Sequence, residues 1–172
     1  KIIFAPDRNL GNYIKRVTGR ENMVIWDGAC HVHEEFSVEA ILELKKEYPN
    51  AKVISHPECK KPVQLISDFI GSTAALLKFT ETDDTKEYIV ATESGIIHQM
   101  KKQNAEKTYI VAPAKDSTCG CNDCNFMKLI TLKKIYNTLK FEQPEVILDE
   151  EVIKKAKKSI DTMLEISKKY NL

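Results

Sequence analysis

Short apolar runs alternate with amphipathic helical segments along most of this 172-residue chain. Runs that are apolar on both faces are typical of a parallel sheet covered by helices on both sides. A spacing of about 25–30 residues per strand and helix suits small Rossmann-like layers. We therefore predict an α/β fold of small three-layer αβα domains with parallel sheets. The predicted strands are residues 1–5, 22–26, 51–56, 87–92 and 108–113.

Helical periodicity is strong between these strands and after the last one. The segment 37–48 predicts a helix capped by Ser37, with Val38, Ile41, Leu42 and Tyr48 on its buried side. The final helix carries one apolar face, and we expect that face to dock on another element, because a lone amphipathic helix is marginal in water. The predicted helices are residues 9–19, 37–48, 61–71, 72–81, 94–104, 129–140 and a last one from about Asp149.

Composition excludes several classes of function. Charged residues make up 30% of the chain with a net charge of +1 and no basic stripe, so nucleic acid and anionic membrane are poor partners. No apolar run approaches the ~18–20 residues of a membrane span, and we predict a cytoplasmic protein. The chain opens directly in a predicted strand without Met, so we expect an upstream part to be missing. Five cysteines in this composition favour metal or redox chemistry over a disulfide framework.

Polar side chains follow the predicted strands at their carboxyl ends, where ligands bind in parallel α/β sheets. Cys30, His31 and His33 follow one strand, and we expect an extended segment in which the two histidines point in opposite directions. His56 ends the next predicted strand and Glu58 lies two residues later. The pair suits proton transfer, with desolvation raising the pKa of Glu58. The alternatives are a structural Cys30 beside a solvated histidine, and a polar loop in which Cys59 fills the core.

Two further stretches allow more than one interpretation. Gly71, Ser72 and Thr73 begin a helix, where they would either cradle a carboxylate or phosphate or supply Ser72 as a simple N-cap. Cys119, Cys121 and Cys124 are spaced C-x-C-x-x-C. That spacing leaves open a structural zinc module completed by a histidine, a thiol–disulfide enzyme using the last two thiols, and an iron–sulfur site.

Six stretches in series are similar to one known family. "FAPDRNLG", "GACHVHEEF", "SHPEC", "GSTAALL", "ATESG" and "CNFMK" occur in this order. Over nearly the whole chain they resemble quinolinate synthase, the A-type enzyme of de novo NAD synthesis. The resemblance implies three αβα domains in a pseudo-threefold arrangement, with the N-terminal part absent here. It assigns 1–27 to the middle domain, 28–113 to the third domain, and 114–172 to a cysteine loop and helices that return to the first domain.

The resemblance also implies a [4Fe–4S] cluster and the residues around it. Cys30 and Cys124 match two cluster ligands, and the third would lie in the missing N-terminal part. His56 and Glu58 match the catalytic and substrate-binding pair, while Ser72, Thr73 and His33 match substrate-binding positions. Cys119 and Cys121 become accessory thiols, either inert or a reversible disulfide pair.

The family reaction condenses iminoaspartate with dihydroxyacetone phosphate to give quinolinate. The resemblance implies that an open iron of the cluster acts as a Lewis acid and that L-aspartate oxidase supplies the iminoaspartate. It also implies that this chain alone is inactive. The zinc module and the CxxC redox protein are the rival functions, and a binding domain with incidental cysteines is a third.

Overall fold

The computed structural model of the chain describes residues 2–115 and 122–171. Cys119 and Cys121 therefore lie outside the described residues. The chain divides into two compact units, Lys1–Leu129 and Ile130–Leu172. The first unit contains all the described strands, in a two-stranded and a four-stranded parallel sheet.

The helices and strands follow the alternation expected from the sequence. The strands are β1 (Ile2–Phe4), β2 (Met23–Ile25), β3 (Lys52–Ser55), β4 (Phe69–Ile70), β5 (Glu87–Ala91) and β6 (Thr108–Val111). The helices are α1 (Arg8–Thr18), α2 (His31–Glu34), α3 (Val38–Glu47), α4 (Lys61–Leu65), α5 (Thr73–Thr82), α6 (Ile96–Gln103), α7 (Leu132–Phe141) and α8 (Glu150–Tyr170). Met127–Leu129 forms one turn of 3-10 helix.

The larger sheet has the order β4-β3-β5-β6, and every neighbouring pair is parallel. From β3 the chain moves to one side to form β4, then crosses back to form β5 on the other side. The strand order therefore reverses between β3 and β5. A crevice opens at such a switch point beyond the carboxyl ends of the strands, which is where α/β proteins bind ligands.

Each face of the larger sheet has its own hydrophobic core, so the fold is a three-layer αβα arrangement as predicted. On one face Val53 and Ile89 pack with Ile41 of α3 and Val63 of α4. Alternate side chains of the same strands point to the other face, because successive residues of a strand point to opposite sides. The second core contains Ile54, Tyr88, Val90, Leu76 of α5 and Met100 of α6.

Three local predictions were wrong. The predicted helix 61–71 ends at Leu65, and Phe69–Ile70 forms the edge strand β4. The segment around His31 and His33 is not extended but forms the short helix α2. Leu42, predicted to be buried, is 46% exposed, because α3 buries only the narrow stripe that contains Ile41.

The second unit consists of α7 and α8. Thr131 and Asp149 cap these helices through their side-chain oxygens, and Asp149 confirms the predicted start of the last helix. The docking of its apolar face and the division into domains at 27 and 113 stay predictions. Among the described residues, no helix combines the length and apolar character that crossing a membrane requires.

Candidate functional site

A cavity of about 610 Å³ lies in the first unit, beside the residues that follow β3 and β5. This is the switch point of the sheet. His56 lies directly after β3, and its backbone N–H donates to the carbonyl of Ala91, the last residue of β5. The cavity brings together residues from five separate stretches of sequence. Those that bear on its chemistry are Cys30, His33, His56, Glu58, Thr73 and Cys124.

Cys30 is held in place through its backbone. Its N–H donates to Oδ2 of Asp7 at 2.8 Å, while Oδ1 of the same carboxylate caps α1 by accepting from Leu10 N–H at 2.9 Å. Asp7 is 2% exposed. Cys30 is also the residue immediately before α2, so its half-buried thiol and the ring of His33 lie one helical turn apart.

The buried imidazole of His33 is central to the site. Its Nε2 lies 3.0 Å from the hydroxyl of Thr92, and its Nδ1 lies 3.1 Å from Oε2 of Glu58. The ring stacks on that of His56, with ring centroids 4.8 Å apart. His31, by contrast, is exposed and meets the ring of Phe126 edge-on. The two histidines do point in opposite directions, although a helix rather than an extended segment separates them.

The contacts of His33 shift the pKa values of its neighbours and its own. Burial opposes its charged form, but contacts with Cys30 and Glu58 outweigh burial and raise the pKa of His33 to about 9. The contact with His33 lowers the pKa of the Cys30 thiol despite partial burial. An imidazolium beside a thiol therefore favours the thiolate, which is the form that binds metals.

Glu58 differs from the expectation. The sequence predicted a pKa raised by desolvation, but the contact with His33 outweighs desolvation and lowers the pKa of Glu58. Burial, together with the charge of His33, lowers the pKa of His56. The His56–Glu58 pair lies with Nδ1 and Oε2 3.9 Å apart. The site thus combines an ionised carboxylate with two stacked imidazoles of opposite pKa shift.

Cys124 reaches the same cavity from the other side. Oε1 of Glu93 accepts from its backbone N–H at 3.4 Å, and Oε2 accepts from Gly95 N–H at 2.8 Å. Lys128 lies 3.7 Å from that same Oε1. Glu93 thus joins the loop after β5 to the loop that carries Cys124.

Of the remaining predicted residues, one lines the cavity and the others have structural contacts. Thr73 lines the cavity, whereas the Ser72 hydroxyl caps α5 by accepting from Ala75 N–H at 3.3 Å. Cys59 is fully buried, its thiol donates to the carbonyl of Ala91, and burial raises its pKa. Cys59 therefore fills the core, as expected.

Two contributors were missed as functional residues, although the sequence contained a signal for each. Thr92 is the last residue of the predicted strand 87–92, at the end where ligands bind. Asp7 precedes a predicted helix, which is typical of an N-cap, but its second bond to the distant Cys30 has no local signature.

One set of described residues has the donors and spacing of a metal site. Cys30, His33 and Glu58 each offer one ligand atom, and these three atoms all lie within 4.8 Å of one another.

Comparison with known proteins gives a consistent result. A sequence model of the family described as "Quinolinate synthetase A protein" matches residues 1–165. The chain is 52% identical over 166 residues to a quinolinate synthase of Thermosynechococcus vestitus, covering 96% of this chain. It is 49% identical over 168 residues to that of Chloroherpeton thalassium and 51% identical over 167 residues to that of Synechocystis sp., covering 98% and 97% of this chain. In each case the chain spans about half the relative's length, 52%.

Proposed function

The chain belongs to the quinolinate synthetase A protein family, and from this premise we propose that it supplies much of the active site of a quinolinate synthase. The proposed reaction condenses iminoaspartate with dihydroxyacetone phosphate to give quinolinate, one phosphate and two waters. Its atoms balance without any oxidant or reductant. The observation that carries the proposal is one cavity that gathers two cysteines, two histidines, two glutamates and two threonines at the switch point of the sheet.

The thiols in this cavity fit an iron–sulfur cluster. Cys30 and Cys124 are both half-buried, and both line the cavity. Clusters of this type are held by thiolates gathered from separate loops. As the family resemblance implies, we propose that the third ligand comes from a part of the full-length enzyme outside this chain. Cys59 is buried in the core and is not proposed as a ligand. When bound, the cluster would supply an open iron that acts as a Lewis acid.

The other residues of the cavity would handle protons and anionic groups. The contact with His33 keeps the carboxylate of Glu58 ionised. In that form Glu58 would accept a proton during tautomerisation and return it during dehydration. Thr73 lies in the first turn of α5, where backbone N–H groups and a hydroxyl favour a substrate carboxylate or phosphate. We propose His56 as a further substrate contact and L-aspartate oxidase as the source of iminoaspartate.

The first test is an analysis of iron, acid-labile sulfide and zinc in the full-length protein prepared without oxygen. We expect about four iron and four sulfide per chain, as one cubane requires, and quinolinate formation from the two substrates. Zinc without sulfide would overturn the cluster proposal. A loaded cluster without quinolinate formation would overturn the proposed reaction alone.

Cysteine variants then test the ligands. Cys30→Ser and Cys124→Ser should each lose the cluster. Cys59→Ala is the matched control, because it removes a thiol that contacts only the core, and it should retain the cluster. Cys119→Ser and Cys121→Ser should also retain it. Loss of the cluster in either of these last two variants, with retention in Cys124→Ser, would overturn the choice of Cys124.

A further inference from the structure

We propose that Cys30, His33 and Glu58 form a mononuclear binding site for zinc or a similar divalent cation in protein that lacks the iron–sulfur cluster. The site is distinct from the zinc module considered above, which would use the cysteines of the 119–124 loop. It is also independent of the proposed function, because it requires only these three side chains.

The spacing of the three ligand atoms is close to that of a tetrahedral zinc site. Zinc bonds of about 2.0–2.3 Å place neighbouring ligand atoms about 3.3–3.7 Å apart. Nδ1 of His33 and Oε2 of Glu58 are already 3.1 Å apart, and no pair of the three atoms exceeds 4.8 Å. A contraction of about 1 Å in the longest separation would therefore complete the site.

The ring of His33 is oriented as a metal-binding histidine would be. Nδ1 is buried, and although it lies near Glu58 it makes no hydrogen bond of acceptable geometry. A buried polar atom without such a partner is unusual. The other nitrogen, Nε2, is held by the hydroxyl of Thr92 at 3.0 Å. A metal-binding histidine is typically held in this way, with one nitrogen anchored and the other free for the ion.

The other two ligands have the required chemistry and rigidity. Cys30 directly precedes α2, one helical turn before His33, and its backbone is tied to Asp7. Glu58 supplies the oxygen ligand, because its Oε2 lies 3.1 Å from Nδ1 of His33. Sulfur, nitrogen and carboxylate oxygen together suit zinc, and binding would displace any proton on Nδ1. With three protein ligands, the fourth position is left to water from the cavity that all three residues line.

One consequence rests on the proposed function. Cys30 cannot bind zinc and the cluster at the same time, and a zinc-bound Glu58 cannot act as a base. Zinc should therefore block reconstitution of the cluster in cluster-free protein. This consequence is separable from the site itself, which is measured by metal binding without any assay of activity.

X-ray absorption on cluster-free, full-length protein loaded with one equivalent of zinc tests the coordination directly. We expect one sulfur ligand and two or three nitrogen or oxygen ligands. Two or more sulfur ligands would show that Cys30 is not the one thiolate on the ion and would overturn the proposal. Absence of stoichiometric zinc would overturn it as well.

Cobalt binding tests the individual residues, because a thiolate bound to cobalt absorbs in the near ultraviolet. Cys30→Ser should remove this absorption. His33→Gln and Glu58→Gln should each weaken cobalt affinity by at least about 10-fold. Two variants are the controls and should bind cobalt as the parent does. His31→Ala removes an exposed histidine of the same short helix, and Cys124→Ser removes the other half-buried thiol of the cavity. Loss of binding in Cys124→Ser, or its retention in Cys30→Ser, would overturn the proposal.

Circular dichroism identifies any variant that fails to fold. Should His33→Gln be unfolded, the coordination measured on the unaltered protein still decides the proposal. Failure of the cluster assay on that protein would count against the proposed function and not against this site.

Discussion

The carboxylate of Asp7 binds the backbone N–H of Cys30 at 2.8 Å, across 23 positions of sequence. The same carboxylate caps α1, so one buried side chain both begins a helix and holds a candidate cluster ligand. Because this hydrogen bond is to the backbone, it holds the main chain of Cys30 in place and leaves the sulfur atom free to bind a ligand. Asp7 is thus a positioning residue for the site.

Asp7→Ala should destabilise the protein by about 2–3 kcal/mol, since a helix cap and a charge-assisted hydrogen bond are both lost. It should also speed alkylation of Cys30 in cluster-free protein, measured by peptide mapping. Ser37→Ala is the matched control, because it removes the cap of α3 without any contact to Cys30. An unchanged alkylation rate in Asp7→Ala would show that the bond does not position Cys30.

Glu93 should act similarly on Cys124. Glu93→Ala removes both hydrogen bonds of its carboxylate, including the one to Cys124 N–H. We expect faster alkylation of Cys124 in cluster-free protein and fewer than four iron per chain after reconstitution. Glu81→Ala, which breaks only an exposed pair with Lys78, serves as the control. Equal iron content in Glu93→Ala and Glu81→Ala would contradict the role of Glu93.

Glu58→Gln should lower kcat of the full-length, cluster-loaded enzyme by about 10²–10⁴-fold, because general acid–base catalysis contributes on that scale. The amide has nearly the same shape but cannot take up a proton, so cluster content and fold should stay unchanged. His31→Ala, an exposed histidine nearby, should have the activity of the parent. A variant with near-normal kcat would remove Glu58 from the catalytic role.

Asp83 should make stability depend on pH. Hydrogen bonds from Lys52 first, then from the N–H of Thr85 and the hydroxyl of Tyr88, hold the pKa of Asp83 well below its usual range. A carboxyl whose folded-state pKa is depressed contributes stability that is complete above its unfolded pKa of about 3.9. That contribution is lost as pH falls from there through the folded-state pKa.

Asp83→Asn should therefore lower stability at pH 7 by about 1–2 kcal/mol, which is about 3–6 °C in melting temperature. The difference from the parent should shrink as pH falls below about 4. Asp161→Asn, which breaks an exposed pair with Lys157 on α8, should cost less than about 0.5 kcal/mol. Thermal melts between pH 7 and pH 3 measure both, and a constant difference across that range would contradict the prediction.

The sequence by itself determined most of the helix starts. Ser37, Ser72 and Asp149 each cap a helix at the predicted position. A cap forms between residues only two or three positions apart, so the signal is local and can be read without the fold. The central strands β3 and β5 were predicted for a related reason, because strands buried on both faces carry a nearly continuous apolar run.

Tertiary contacts decided the short elements. Residues 65–70 continue the helical pattern of α4, yet Phe69 and Ile70 pair with Ile54 and Ser55 of β3. The Asp68 carboxylate accepts from Val53 N–H at 2.8 Å and turns the chain into that pairing. A strand of two residues has no periodicity of its own, so only its partner strand reveals it.

In the candidate site, too, local sequence predicted some features and tertiary contacts decided others. The sequence indicated that Cys30, His56 and Glu58 follow strands and so meet at one edge of a parallel sheet. Only the tertiary structure placed His33 between Thr92 and Glu58, and this placement lowers the Glu58 pKa that desolvation alone was expected to raise. Residue types and strand ends are properties of the local sequence. The charge state of a side chain depends on neighbours that are distant in the chain, and those neighbours are determined by folding.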